Sequence, residues 1–244
     1  MTNDIFSRFQ LLVGNESINN LSHKRVAIFG VGGVGGHCIE AIARCGVGQI
    51  DLIDNDTVSS TNINRQIVAL HSTIGEYKVD VMKDRIIDIN PDCIVKTYKC
   101  FYLPETSHEF DFNKYDYVID AIDTVTAKID LIKQCQTTNT PIISSMGCGN
   151  RLDPTKLTVT DIYKTKNDPL AKIMRHELKK NHIKKLKVVY SEELPTKPLI
   201  EEVENYNQSH SEKKLNIPGS TSFVPSCAGL IIASIVVNEL RNAD

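Results

Sequence analysis

Residues 25–56 read RVAIFGVGGVGGHCIEAIARCGVGQIDLIDND and combine a strand pattern, a glycine-rich turn, a helix pattern and a second strand pattern. The glycines that form the turn pattern after the first strand are Gly30, Gly32, Gly33 and Gly35. Glycines let the backbone turn tightly and approach phosphate oxygens, while amides at the start of the next helix face the anion. The second strand ends in Asp54, where an acid accepts hydrogen bonds from ribose hydroxyls in this architecture. The stretch predicts a nucleotide-binding βαβ unit, and glycines that serve only close helix–strand packing are the alternative.

The alternation of strand and helix patterns continues through the first 150 residues. Strand patterns cover residues 25–30, 49–54, 93–98, 115–122 and 141–146. Within residues 76–89, apolar side chains recur at spacings of three and four, which predicts an amphipathic helix that ends at Asn90 and Pro91. Short strands separated by helices predict a parallel sheet covered on both faces. The expected fold class is α/β, a Rossmann-like doubly wound, mostly parallel sheet, with a C-terminal extension of the same domain.

The composition excludes several classes of protein. The 244 residues include 28 Lys and Arg against 30 Asp and Glu, a net charge of −2, so the chain is not basic throughout. Its seven cysteines include no pair at CxxC spacing, which excludes a four-cysteine zinc site. Since no signal-peptide pattern is seen either, we expect a reduced, cytoplasmic protein with free and mostly buried thiols. The most apolar stretch, residues 227–237, is shorter than a membrane span and predicts a buried helix.

The charge pattern changes after about residue 150. Residues 164–187 contain nine Lys or Arg and two acids, a local net charge of +7 from 9 − 2. The polar stretch NYNQSHSEKK, residues 205–214, predicts a flexible surface loop. The basic segment is either a solvated lysine-rich helix face or a surface that contacts nucleic-acid phosphates.

Polar residues after the second strand distinguish a site for ATP from a site for a nicotinamide dinucleotide. The set consists of Asp56, Asn62, Arg65, Gln66, Lys78 and Asp123. Cations and carboxylates that converge beyond the carboxyl ends of a parallel sheet suit a triphosphate with a metal ion, whereas a dinucleotide needs far less charge. ATP is therefore favoured over a nicotinamide cofactor. Taken singly, Arg65 and Lys78 are typical solvated cations, and Asp123 is a typical cap for a helix over residues 124–134.

The same residues carry a family resemblance. The glycine loop, LIDND at 52–56, the N-x-N-R-Q block at 62–66, Lys78 and Asp123 together resemble the ubiquitin-activating-enzyme superfamily, whose members adenylate a carboxylate with Mg-ATP. The resemblance implies that the glycines cradle phosphate, that Asp54 holds the ribose, and that Asp123 carries Mg²⁺. It assigns the triphosphate to Asn62, Arg65, Gln66 and Lys78. The segment FSRFQLLVG at 6–14 resembles the family segment whose arginine reaches the partner subunit's nucleotide, which implies a homodimer with Arg8 acting in trans.

Five further stretches resemble one branch, the tRNA threonylcarbamoyladenosine dehydratase family. They are INPDC at 89–93, DAIDTVTAK at 120–128, LDPTKLTVTDIYKTKNDPLAKIMR at 152–175, VVYSEELP at 188–195 and PGSTSFVPSCAGLIIAS at 218–234. The branch implies ATP-dependent cyclisation of threonylcarbamoyladenosine in tRNA through a carboxylate adenylate. The alternative is adenylation of the C-terminal carboxylate of a small ubiquitin-like sulfur-carrier protein, although the CxxC pairs usual there are missing. Two hypotheses come from other functional classes: a nicotinamide-dependent oxidoreductase and a scaffold without catalytic activity.

The resemblance divides the chain by role. Residues 1–150 are expected to form the ATP-binding adenylation region with the N-terminal arginine segment, and residues 151–244 a substrate- and tRNA-binding extension that ends in the buried helix. The tRNA contacts are assigned to Lys172, Arg175, Lys179, Lys180, Lys184 and Lys185. A monovalent cation, K⁺ or Na⁺, and a sulfur-transfer protein are further partners on which the sequence does not decide. No membrane partner is expected.

Thioester chemistry is not expected in this chain. Some family members have a cysteine shortly before the segment that matches PGSTSF, but here residues 213–217 are KKLNI. Cys227 is the nearest thiol in sequence, and its apolar helical surroundings favour a place in the core. Direct cyclisation from the adenylate is therefore the expected route.

Overall fold

A seven-stranded sheet organises the molecule. The structure is a computed structural model that describes residues 4–209 and 218–242. The strands are β1 Arg25–Phe29, β2 Gln49–Ile53, β3 Ile94–Tyr98, β4 Tyr117–Asp120, β5 Ile142–Ser145, β6 Leu157–Asp161 and β7 Lys187–Ser191. Their order is β3-β2-β1-β4-β5-β7-β6, and every neighbouring pair is parallel except the pair of β6 and β7. The chain reverses its direction across the sheet between β1 and β4, where ligands bind in open α/β sheets.

Helices cover both faces of the sheet. They are α1 Ser7–His23, α2 Gly33–Arg44, α3 Lys78–Ile89, α4 Val125–Thr138, α5 Pro169–Lys180, α6 Ile200–Ser209 and α7 Val224–Leu240. Alternate residues of β1 point to opposite faces: Val26 and Ile28 pack in the core that includes buried residues of α2, α3 and α7. Ala27 and Phe29 pack in a second core with α4 and a group of aromatic rings. The predicted α/β class with a mostly parallel sheet is confirmed.

The predicted helices follow from their apolar spacing. In α3, Val79, Met82 and Ile86 are fully buried and lie on one face of the helix. The C-terminal helix α7 is buried along most of its length, and it packs against α2. Among the described residues, no helix is both long and apolar enough to cross a membrane.

The second half of the chain continues the same sheet. Strand β7 pairs in parallel with β5, so the two halves share one hydrogen-bonded layer. The antiparallel neighbour of β7 is β6, with the alternating sequence LTVTD, and neither strand was among those predicted from sequence. The predicted flexible loop at 205–214 is wrong over its first half, because residues up to Ser209 belong to α6. Glutamates in the first turn of that helix favour helix formation through the helix dipole. The remainder of that loop lies outside the described residues.

Candidate active site

A cavity of about 600 Å³ opens at the carboxyl ends of β1, β2, β4 and β5. Its position is the point where the strand order reverses, and its volume is in the range of cofactor-sized pockets. Ten of the residues predicted to bind nucleotide or metal line it: Gly30, Gly32, Gly33, Asp54, Asp56, Asn62, Arg65, Gln66, Lys78 and Asp123. Residues separated by almost a hundred positions in sequence therefore share one cavity.

The glycine loop between β1 and α2 forms one wall of the cavity. Gly30 has a φ of 97°, and a Cβ atom there would lie 2.7 Å from the carbonyl oxygen of Ala121. Gly35 does not line the cavity, because it lies behind the loop, where a Cβ atom would come within 1.9 Å of the carbonyl oxygen of Gly30. Helix α2 begins at Gly33, so the unpaired amides of its first turn are at the cavity wall. The loop thus offers amide donors to an anion, while Gly35 allows α2 to approach closely.

Asp54 connects the end of β2 to this loop. Its Oδ2 accepts a hydrogen bond from the amide of Val31 at 2.7 Å, and its Oδ1 accepts one from the amide of Asp56 at 2.8 Å. Each carboxylate oxygen has a second lone pair, so Asp54 can still accept from a hydroxyl in the cavity. Asp54 therefore fixes the loop and remains available to a ligand.

Two cations lie in the half of the cavity formed after β2. The Nζ atom of Lys78 is 2.6 Å from Oδ2 of Asp56, and only 5% of Lys78 is exposed. Nη1 of Arg65 donates to the carbonyl oxygen of Thr61 at 2.8 Å, which leaves other guanidinium donors for a ligand. Gln66 is buried, and its Oε1 accepts no hydrogen bond from the described residues.

Asp123 is exposed at the cavity, and it does not cap the following helix. The N-cap of α4 is Thr124, and no side chain caps that helix. Within residues 4–209 and 218–242, no group of three or more His, Cys, Asp or Glu side chains is arranged to hold a metal ion. A single free carboxylate still suits Mg²⁺, which keeps several waters and binds through one or two carboxylates together with substrate phosphates.

The half of the cavity beyond β5 was not predicted from sequence. Residues 145–151, 168–170 and 218–220 line it. Asp168 caps α5 by accepting from the amide of Ala171 at 2.9 Å, and it also accepts from the amide of Gly147 at 3.1 Å. Burial raises the pKa of Asp168, although the nearby Arg151 opposes that shift. No residue of this half was predicted individually, although residues 168–170 and 218–220 lie in stretches that carry the family resemblance and in the expected substrate-binding extension.

Arg151 is almost completely enclosed, with 2% of its surface exposed, and it lines the cavity. Its Nη2 donates to the carbonyl oxygen of Asn167 at 3.0 Å. Its Nε and Nη1 have no hydrogen-bond partner among the described residues. The cavity therefore contains a cation whose donors the protein itself does not fully use.

The cavity contains no activated thiol among the described residues. Cys100 and Cys148 line it, and burial raises the pKa of both thiols, that of Cys148 to about 11. Cys227 lies on α7, is partly buried and is not part of the lining. All seven cysteines are free, but only Cys38, Cys93 and Cys135 are buried, so the expectation of mostly buried thiols holds for fewer than half.

The remaining predicted residues lie outside the cavity. Arg8 is exposed on α1 and is not part of the lining, so its role in a second subunit stays a prediction. Five of the predicted tRNA contacts are exposed lysines: Lys172, Lys179, Lys180, Lys184 and Lys185. Arg175 differs from them, since its Nη1 donates to the carbonyl oxygen of Thr165 at 3.1 Å and it is partly buried.

The family pattern of ThiF matches residues 6–239 of the chain. The chain belongs to the ThiF family. Among ThiF relatives, it is 48% identical over 239 residues to the tRNA threonylcarbamoyladenosine dehydratase of Bacillus subtilis, a match that covers 96% of this chain and 94% of the relative. The fold is similar to that of the E. coli tRNA N6-threonylcarbamoyladenosine dehydratase in complex with AMP, with a TM-score of 0.86, 33% identity and coverage of 97% and 94% of the two chains.

The E. coli enzyme in complex with ATP is similarly close, with a TM-score of 0.85, 33% identity and coverage of 97% and 93%. The ThiF match spans both the glycine-loop half and the β5 half of the cavity. The similarity is therefore not confined to the nucleotide-binding βαβ unit, which many unrelated proteins contain.

Proposed function

We propose that this protein is an ATP-dependent tRNA threonylcarbamoyladenosine dehydratase. The observation that carries the proposal is the 48% identity to the Bacillus subtilis dehydratase over nearly the whole length of both chains. The cavity fits this reaction, since it joins a half with phosphate-binding character to a second half with its own buried cation. The protein is expected to act in the cytoplasm, where its seven free thiols would remain reduced.

The first step activates a carboxylate. An oxygen of the threonyl carboxylate attacks the α-phosphorus of ATP, the bond to the bridging oxygen breaks, and pyrophosphate leaves with that electron pair. We assign the phosphates to the amides of the glycine loop and to Arg65, Lys78, Asn62 and Gln66, because cations and amides stabilise charge that grows on the leaving group. Asp54 is assigned to the ribose, and Asp56, the ion-pair partner of Lys78, keeps that lysine at the phosphate site.

Asp123 is assigned to Mg²⁺, which would neutralise phosphate charge as pyrophosphate leaves. The fit rests on the free, exposed carboxylate at the cavity rather than on a cluster of acids. Asp123 is the one protein carboxylate in this assignment, so the phosphates of ATP would supply further ligands.

The second step closes a ring on the same nucleoside. The carbamoyl group attacks the acyl carbon, the bond between that carbon and the phosphate oxygen breaks, and AMP leaves with the electron pair while the carbamoyl group loses a proton to solvent. Because both reacting groups belong to one nucleoside, ring closure is intramolecular and needs little further ordering. No thiol is required, in agreement with the raised pKa of Cys148.

The tRNA is assigned to the basic surface of α5 and the loop before β7. The chain carries a net charge of −2, and the exposed lysines of this segment concentrate positive charge in one region. Arg175 is better assigned to holding the segment at Thr165 than to a phosphate. Residues 151–244 would then supply the tRNA-binding extension, and residues 1–150 the ATP-binding region.

A homodimer completes the proposal. Arg8 is exposed and does not line the cavity of its own chain, so we assign it to the nucleotide of the partner subunit. A K⁺ or Na⁺ site and a sulfur-transfer partner stay predictions that no residue described here supports.

The test is mass spectrometry of nucleosides from threonylcarbamoyl-modified tRNA incubated with the protein. With Mg-ATP, we expect the modified nucleoside to lose the mass of one water, and without Mg-ATP to stay unchanged. An unchanged nucleoside in the presence of folded, ATP-binding protein would reject the proposal. The sulfur-carrier alternative would then be tested by pyrophosphate exchange stimulated by a carrier protein that ends in Gly-Gly.

A further inference from the structure

Arg151 has no role in the reaction as described above, yet its surroundings are unusual for a buried cation. A guanidinium group carries five N–H donors, and enclosed donors without acceptors are costly even where a carboxylate, here that of Asp168, is close enough to interact with the charge. Only Nη2 of Arg151 has a protein partner, the carbonyl oxygen of Asn167, while Nε and Nη1 have none among the described residues. Because Arg151 lines the cavity, a ligand there can supply the missing acceptors.

The backbone around Arg151 is held from several sides. The amide of Asn150 donates to the carbonyl oxygen of Gly219, and the amide of Thr196 donates to the carbonyl oxygen of Asn150, both at 2.8 Å. On the other side, the carboxylate of Glu193 accepts from the amide of Leu152 at 3.0 Å. These hydrogen bonds fix the backbone that carries the guanidinium. Side chains that position a substrate are usually supported in this way.

The strand order indicates which part of the substrate Arg151 faces. Asp54 follows β2, the glycine loop follows β1, Asp123 follows β4 and Arg151 follows β5. From β2 to β5 there are three strand spacings of ~4.8 Å, about 14 Å in all. If the ribose lies at Asp54 and the phosphates at the glycine loop, Arg151 lies on the side of the phosphates away from the ribose. The carboxylate that is to be adenylated must enter from that side.

We infer that Arg151 is a positioning residue that binds the carboxylate of the threonylcarbamoyl group in the tRNA substrate. This inference rests on the proposed function. A planar guanidinium forms charge-assisted hydrogen bonds to a carboxylate and orients it, so Arg151 would distinguish modified from unmodified adenosine before the chemistry begins. The bound carboxylate keeps a free lone pair with which it attacks the α-phosphorus.

The test compares the affinities of two tRNAs that differ only in the modification. For the wild-type protein, we expect tighter binding of tRNA with threonylcarbamoyladenosine than of the same tRNA with unmodified adenosine. In Arg151→Met, we expect this preference to fall by about 10-fold to 100-fold, the effect of losing hydrogen bonds to a charged group. The affinity for ATP should change by less than about twofold.

Two further variants separate positioning from structure. Arg151→Gln also removes the charge but retains a donor for Asn167, and it should lose the preference as Arg151→Met does. Arg151→Lys keeps the charge without the planar fork and should restore part of the preference, seen as a lower KM for modified tRNA at similar kcat. The matched control is Arg25→Met. The side-chain nitrogens Nε and Nη2 of Arg25 both donate to Asp51, and Arg25 begins β1 at the end opposite the glycine loop, so its replacement should leave the preference intact.

The outcomes are distinct. The inference would be overturned if Arg151→Gln or folded Arg151→Met preferred modified over unmodified tRNA as strongly as the wild type does. It would also be overturned if a variant lost as much affinity for ATP as it lost preference for modified tRNA. If the wild-type protein itself neither prefers the modified tRNA nor dehydrates it, the proposed function has failed and Arg151 is not the cause.

Discussion

Two arginines of this molecule are held in opposite ways. Arg25 uses Nε and Nη2 to bind both carboxylate oxygens of the buried Asp51, at 3.2 and 2.7 Å, and its guanidinium stacks over Tyr115. Hydrogen bonding to Asp51 raises the pKa of Arg25. Arg151 is at least as deeply enclosed, but two of its nitrogens have no partner among the described residues.

The difference distinguishes buried polar groups that pair with one another and stabilise the fold from buried polar groups that are left to bind a ligand. Around Asp51, the hydroxyl groups of Tyr98 and Tyr115 also donate to Oδ2, each at 3.2 Å, so the cluster satisfies its own hydrogen bonds. Burial raises the pKa of both tyrosines. At the cavity, by contrast, Gln66 Oε1 and two Arg151 nitrogens lack partners in the described part of the chain, and only Asn90 Oδ1 shares that condition elsewhere. Because buried polar groups are normally paired, unpaired ones at a cavity indicate where a ligand binds.

The largest effect is expected at Lys78, a buried cation at the cavity that, unlike Arg151, has an ion-pair partner in the protein. Replacing this buried lysine by methionine removes a cation from the phosphate side of the cavity and leaves Asp56 without its ion-pair partner. We expect dehydration to slow by about 10²–10³-fold, the range for losing one group that stabilises transition-state charge. The measurement is the rate of product formation by nucleoside mass spectrometry. Lys24→Met is the control, since Lys24 pairs with Asp116 away from the cavity; an equal loss there would contradict the assignment.

The next largest effect is expected on stability, in the glycine loop. Comparing an alanine there with one at Gly75 separates the cost of steric contact from the cost of backbone strain. Gly30→Ala places a methyl group 2.7 Å from Ala121 O at a φ of 97°, whereas Gly75→Ala meets nothing within 4 Å at a φ of 92°. Strain alone costs about 1 kcal/mol. Gly30→Ala should lower the free energy of unfolding by about 2–4 kcal/mol, in the range of overpacking added to strain. Denaturant unfolding measures both variants, and equal losses would show that the contact with Ala121 is relieved without cost.

The basic surface provides a test in which the cavity should stay intact. Neutralising Lys179, Lys180, Lys184 and Lys185 together removes charge that the cavity does not use. We expect tRNA affinity to fall by about 10-fold and its salt dependence to flatten, while ATP affinity is unchanged. Filter binding across a salt series gives both quantities.

Lys96 and Lys114 provide the matched control for the basic surface. Both are exposed and neither belongs to α5 or to the loop before β7: Lys96 lies on the edge strand β3, and Lys114 lies before β4. Their neutralisation should leave tRNA affinity almost unchanged. If the quadruple variant binds tRNA as the wild type does, the tRNA surface lies elsewhere.

The smallest effect is expected at the thiols. Burial raises the pKa of Cys148 to about 11, which disfavours the thiolate that a nucleophilic cysteine needs. Cys148→Ser and Cys227→Ser should each keep activity within about threefold and leave the pH profile of the rate unchanged. Loss of activity in either folded variant would revive a thioester route.

Much of the nucleotide half was predictable because its signals are local. The glycine loop, the helix α3 and the buried helix α7 each follow from short-range spacing of glycine or apolar residues. Residues such as Asp54 and Asp123 follow strand ends, and the carboxyl ends of parallel strands meet at one edge of the sheet. Their convergence in one cavity could therefore be expected from sequence.

The half of the cavity beyond β5 could not be predicted in the same way. The enclosure of Arg151 depends on Asn167 and on segments near residues 196 and 219, which come together only when β7 joins β5 in the sheet. An arginine in a loop gives no sequence sign of burial. Strands β6 and β7 and the helix α6 were also missed; the polar residues of β6 and α6 are typical of loops as well.

The central claim is that this cavity activates the carboxylate of a tRNA nucleoside as an adenylate. A single-turnover reaction with threonylcarbamoyladenosine whose carboxylate oxygens are both ¹⁸O tests it most directly. The oxygen that attacks the α-phosphorus must leave with AMP, so we predict one ¹⁸O atom in AMP and none in pyrophosphate. Formation of the dehydrated nucleoside with unlabelled AMP would contradict the account.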